Sequence, residues 1–82
     1  MNVSSNILVN KFHDFCRKHG YHGHILLYPN MQWIELQIMY KGVGAGINVL
    51  IDDLNMDDDK ALEAMIDSLL IKMQEEILDQ LK

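Results

Sequence analysis

Apolar residues recur at two different periods along this chain. Leu8, Phe12, Phe15, Cys16 and His19 fall three and four apart, the spacing of one face of a helix. Ser4 and Ser5 precede them as candidate N-caps, and Gly20 suits the left-handed residue that ends a helix. Beyond Gly20 the period becomes two. Ile25 and Leu27 share one parity in 21–28, Ile34, Leu36 and Ile38 in 31–40, and Val43, Ala45, Ile47, Val49 and Ile51 in 43–51. Pro29-Asn30 and Lys41-Gly42 supply turn chemistry between these runs. Helical spacing then returns as Leu62, Met65, Ile66, Leu69, Met73 and Ile77.

Two tight turns imply a register. Pairing Tyr28 with Met31 sets Ile25 opposite Ile34, and pairing Tyr40 with Val43 sets Leu36 opposite Ile47. Both hairpins then gather their large aliphatics on one face, which a one-residue slip would destroy. Pro-Asn is not a favoured two-residue turn, so a four-residue loop in the same register is expected there. The predicted fold is α+β: a two-layer sandwich of helix, three-stranded antiparallel meander and helix (αβββα). Asn55 or Asp57 is the expected cap of the last helix. From about Asp57 to the chain end it would run roughly 38 Å against about 27 Å for an eight-residue strand. Its last turns should therefore overhang the sheet, with Leu70, Ile71, Leu78 and Leu81 widening its apolar surface.

The implied register also fills the outer sheet face. Leu26, Trp33 and Leu50 form one cross-strand row and His24, Glu35 and Asn48 the next, with Tyr28 and Met39 nearby. In 82 residues nothing remains to cover this face, and a Trp/Leu/Met patch with polar neighbours suits a protein-binding or dimer surface. Gly44 and Gly46 leave one end of it flat.

Charge divides the chain in two. Residues 1–51 carry four Lys/Arg and two acids, while residues 52–82 carry ten acids and three lysines, for a net −5 overall. Five of the acids, Asp52, Asp53, Asp57, Asp58 and Asp59, lie within eight positions. Such a run opposes the positive end of a helix dipole, but its density also repels phosphate and attracts basic surfaces.

With 49% hydrophobic residues the chain is expected to fold as one domain spanning 1–82. No apolar run reaches the roughly 18 residues of a membrane span, and the start lacks an export signal. The single cysteine fits a reducing cytoplasm. A complete short gene product, cytoplasmic and without a membrane partner, is the expectation.

Two candidate metal motifs are weak on chemistry. Cys16-x-x-His19 and His22-x-His24 offer zinc ligand types, but a helix and a strand joined through one glycine converge poorly on an ion. Asp53-x-Asn55-x-Asp57 begins like a calcium-binding EF-hand loop, yet its sixth position is Asp58 rather than Gly and its twelfth is Ala64 rather than Glu. No metal, no cofactor and no catalytic residue is expected, nor direct nucleic-acid binding by the small basic set Lys11, Arg17 and Lys18.

The element order over nearly the whole chain resembles the double-stranded RNA-binding domain. That resemblance implies a lysine-rich opening of the last helix that grips phosphate. The matching stretch here, Asp57-Asp58-Asp59-Lys60-Ala61, is opposite in sign. In size, acidity and element order the chain is also similar to small phage-encoded anti-CRISPR proteins, several of which present carboxylates to a nuclease's DNA-reading cleft. That similarity implies a non-enzymatic inhibitor whose partner is a protein with a basic surface. The alternative is a homodimeric structural or assembly adaptor using the exposed sheet face or the C-terminal helix.

Overall fold

The computed structural model describes the chain except residues 1–2, 29 and 55–56, and gives the backbone alone for 3–5. Its elements are α1 (Val3–His19), β1 (His22–Tyr28), β2 (Trp33–Tyr40), β3 (Val43–Leu50), a short 3₁₀ turn (Ile51–Leu54) and α2 (Asp59–Gln80). The strands form one antiparallel sheet in the order β1-β2-β3. Both helices lie on one face of it, so the fold is the predicted αβββα sandwich. α2 packs on β3 and β2, and α1 lies beside α2 above β1.

α1 already includes Ser4 and Ser5, so neither is the residue that caps it. Its end is as expected. Gly20 takes φ 71°, and the Tyr21 amide donates back to the Cys16 carbonyl at 2.9 Å. This is the closure by which a glycine satisfies a helix's last carbonyls. Tyr21 then stacks on His19 and meets Phe15 edge-on at 5.5 Å, which fixes the angle at which β1 leaves the helix.

The second hairpin follows the expected register, Tyr40 opposite Val43 and Leu36 opposite Ile47. Lys41 and Gly42 both have positive φ, the primed turn whose twist matches its strands. The first hairpin differs by two residues. Tyr28 pairs with Trp33, so Ile25 faces Leu36 and Leu27 faces Ile34. The loop has the expected four residues but falls between Tyr28 and Trp33, one residue later than the expected register implies: the Met31 amide donates to the Tyr28 carbonyl, and Gln32 takes φ 58° to bring the chain back. A displacement of two preserves parity, so the aliphatic face survives.

The core gathers Leu8, Phe12 and Cys16 of α1, Ile34, Leu36, Ile38, Ala45 and Val49 of the sheet, and Leu62, Ile66, Leu70, Met73 and Ile77 of α2. Leu70 is thus a core residue rather than part of a widened outer surface, whereas Met65 and Leu69 are only partly buried. At Gly23 α1 closes directly on the strand. A Cβ there would lie 2.5 Å from the Cys16 Sγ and 2.9 Å from the Phe12 ring. Only a residue without a side chain admits α1 at that height.

The last turn of α2 is tied to the sheet. Gln80, in its last turn, donates from Nε2 to the Gly44 carbonyl at 2.7 Å, which ties the helix end to the start of β3. The 3₁₀ turn delays the start of α2 from the expected Asp57 to Asp59, and its 22 residues, about 33 Å, remain longer than an eight-residue strand.

Cys16 is buried, and burial pushes its thiol above the ordinary value of 9.0. The thiol is therefore protonated at neutral pH and poorly nucleophilic. A thiol-specific disulfide reagent should modify the native chain far more slowly than the denatured one. Equal rates would place Cys16 at the surface. The sign for stability follows. The raised value favours the folded state fully below pH 9, and that contribution falls as pH rises through the folded value.

Candidate functional site

The acidic run begins two residues after β3 ends, and the sheet determines what lies beside it. The Ile51 amide donates to the Gln32 carbonyl at 2.8 Å, continuing the β2–β3 pairing one step past Leu50. That bond fixes the 3₁₀ turn against the β1–β2 loop. Asp52 and Asp53 are exposed on this turn, while Leu54 is buried and anchors it. Asp57, Asp58 and Asp59 are exposed at the entrance to α2.

Asp58 is the cap. Its backbone is extended (φ −107°, ψ 111°), and its Oδ1 accepts the Lys60 amide at 2.9 Å. Asp57 precedes it, and Asn55 lies outside the described residues. Local structure thus accounts for one of the five carboxylates directly, and Asp59 faces the positive end of the helix. Asp58→Ala should cost about 0.5–2 kcal/mol of stability, read as a lower urea midpoint; an unchanged midpoint would deny the cap.

The apolar part of this pole comes from the shifted hairpin. The cross-strand row is Tyr28, Trp33 and Leu50 rather than Leu26, Trp33 and Leu50, and the row with Glu35 and Asn48 contains Leu26 rather than His24. The shift brings Tyr28 edge-on to Trp33 at 6.2 Å between ring centres. It also lets the Tyr28 hydroxyl reach the Glu35 carboxylate diagonally at 3.4 Å. Trp33 is half-buried under its neighbours, and its indole N–H is buried without a partner among the described residues. An orphaned donor of this kind costs about 1–3 kcal/mol. Met31 and Leu50 are at least half exposed, Tyr28 and Leu26 somewhat less. Met39, expected near this patch, lies at the other end of β2 opposite Gly44.

The sheet end therefore carries Tyr28, Met31, Trp33 and Leu50 as an apolar centre. Asp52 and Asp53 adjoin it on the 3₁₀ turn, and Asp57 and Asp59 lie exposed at the entrance to α2. The remaining predicted residues, Glu35 and Leu26, sit one row further up the outer face. Sequence reasoning missed Met31, because it read the period-two run as 31–40 and so placed Met31 within a strand that starts only at Trp33.

The histidines and the cysteine do not gather. Cys16 faces the core against Gly23. His19 packs on Phe15 and Tyr21, with its Nδ1 3.3 Å from the Gln74 amide nitrogen. His22 and His24 are exposed on β1. No group of three metal-ligating side chains occurs among the described residues. On the basic side, Lys11 bridges the helices to Asp67 at 2.9 Å, which raises its pKa, and Arg17 pairs with Asp14. No helix among the described residues is long and apolar enough to cross a membrane.

No protein-family model matches the chain, and no curated protein or solved structure does either.

Proposed function

We propose that this chain is a non-enzymatic protein-binding module whose acidic pole occupies a basic, nucleic-acid-binding surface on a partner protein, as a phage or mobile-element inhibitor would. The observation that carries this reading is the Ile51–Gln32 hydrogen bond, which holds the turn bearing the exposed Asp52 and Asp53 beside an exposed apolar corner. A desolvated apolar centre with charged residues at its rim is the usual anatomy of a specific interface. Here the centre is Tyr28, Met31, Trp33 and Leu50, and the rim is of one sign. Carboxylates on a buried-anchored turn and a helix entrance stand where a basic groove would otherwise hold phosphate oxygens. Leu26 and Glu35 extend the contact along the outer face.

The test keeps Asp58, so that folding and binding are not confused. Wild type and an Asp52/Asp53/Asp57/Asp59→Asn variant are compared in affinity capture from nuclease-treated lysate of the source cell. Wild type should retain a nucleic-acid-binding protein, release it as salt shortens the range of charge interactions, and yield it to added nucleic acid. The variant should bind it about tenfold or more weakly, a loss of about 1.4 kcal/mol or more. Equal capture by both proteins would defeat the proposal.

A further inference from the structure

β1 is an open strand edge, and the hairpin geometry says which of its backbone groups face outward. In a two-residue primed turn the flanking residues, Tyr40 and Val43, exchange both hydrogen bonds. Alternation along β2 then directs Ile34, Leu36, Ile38 and Tyr40 to β3, and Trp33, Glu35, Gln37 and Met39 to β1. Their β1 partners are Tyr28, Leu26, His24 and His22. Gly23, Ile25 and Leu27 therefore point their N–H and C=O groups away from the sheet.

The two edges of the sheet are treated differently. At β3, Gln80 covers the Gly44 carbonyl, and Glu76 flanks Gly44 and Gly46, a charge of the kind that discourages strand addition. β1 has no such guard. Its sequence, His-Gly-His-Ile-Leu-Leu-Tyr, contains no Lys, Arg, Asp, Glu or Pro, and Leu27 is 62% exposed on it. Above this edge, the flank of α1 opposite Lys11 and Lys18 carries Asn6, Val9 and His13 at helical spacing, and its one charge, Arg17 a turn further on, is paired with Asp14.

We propose that the chain forms a two-fold dimer by antiparallel pairing of β1 with β1 of a second copy, centred on Ile25. Among two-fold registers, only this one pairs all three outward residues within the strand: Ile25 with Ile25, and Gly23 with Leu27 in both directions. The side chains agree with that register. Leu27, on the inner face, is set across from Gly23 of the partner copy, where no side chain stands and where Phe12 and Cys16 close on the strand. The most exposed large apolar side chain of the edge thus meets its smallest residue, twice by symmetry. A chain of net charge −5 repels its own copies over most of its surface, and this uncharged edge is where two copies meet without that penalty. The inference uses the outward backbone groups and inner-face Leu27 of β1, whereas the proposed interface uses the outer-face side chains Tyr28 and Leu26 of that strand together with the aspartates beyond β3.

Analytical ultracentrifugation from low micromolar to millimolar chain, with amide hydrogen exchange at both extremes, tests it. The chain should dimerise, and the Gly23, Ile25 and Leu27 amides should gain protection only in the dimer, while those of Leu26 and Tyr28 are protected throughout. Leu27→Lys, at an exposed position, should weaken the dimer about tenfold or more, because the axis uses the substitution twice. At the lowest concentration, where both are monomers, its circular dichroism and melting point should match wild type. The Asp52/Asp53/Asp57/Asp59→Asn variant should dimerise undiminished, so failure of the acidic-pole reading leaves this one standing, and the converse. A monomer throughout, or a dimer with the three amides unprotected, overturns the proposal. Protection appearing only with a captured protein would give the edge to that protein's strand and overturn it equally.

Discussion

Phe12→Ala is expected to remove about 3–5 kcal/mol of folding stability. Phe12 is 1% exposed, and its ring is the part of α1 pressed against the strand at Gly23. Truncation removes a large apolar surface from the core and leaves a cavity beside a backbone that has no side chain to fill it. Small globular domains have a total stability near the low end of about 5–15 kcal/mol. The variant should therefore be partly unfolded at 37 °C, with the loss visible in near-ultraviolet circular dichroism. A urea midpoint close to wild type would mean that α1 is not docked as described.

Gly23→Ala tests the same contact from the other side. The new methyl would meet Cys16 Sγ and the Phe12 ring at distances that real side chains do not adopt, so α1 must lift or its side chains must leave their rotamers. Overpacking of this kind costs about 1–3 kcal/mol. The informative variant is the pair Gly23→Ala with Cys16→Ala, which takes away the sulfur at 2.5 Å. Part of the loss should return, so that the two changes together cost less than the sum of each alone. Strict additivity in chemical denaturation would show that the contact is not what restricts position 23.

The sequence was most legible where its periodicity carried two-fold information. Alternation in 33–40 and 43–51 specifies which face is buried, and that holds whether a hairpin closes through two residues or four. The loop's length of four residues was legible; where along the chain it falls was not. Pro29-Asn30 marks a turn, but the residue that sets its closure is Gln32, whose positive φ leaves no signature in a glutamine. The two-residue shift that follows exchanged Leu26 for Tyr28 beside Trp33, and so altered the candidate surface without touching the core. The aspartate block was plain as composition; its division between cap and surface was not. That division depends on where the 3₁₀ turn releases the chain, which Leu54 decides by being buried. Gly23 carried a readable signal, a lone glycine inside a strand pattern. Its partner, the small Cys16 one helix away, becomes visible only in three dimensions.

The core's composition also has a consequence for the order in which the chain is made. Leu8 and Phe12 come early and Met73 and Ile77 late, yet they share one cluster. The meander between them needs only short loops and can pair soon after it is synthesised. Its inner face, with Ile34, Leu36 and Ile38, has no cover until α2 emerges. The nascent chain thus passes through a stage with an apolar sheet exposed, a stage open to chaperones and to aggregation. α2 ends that vulnerability, and the Lys11–Asp67 bridge joins the first helix made to the last.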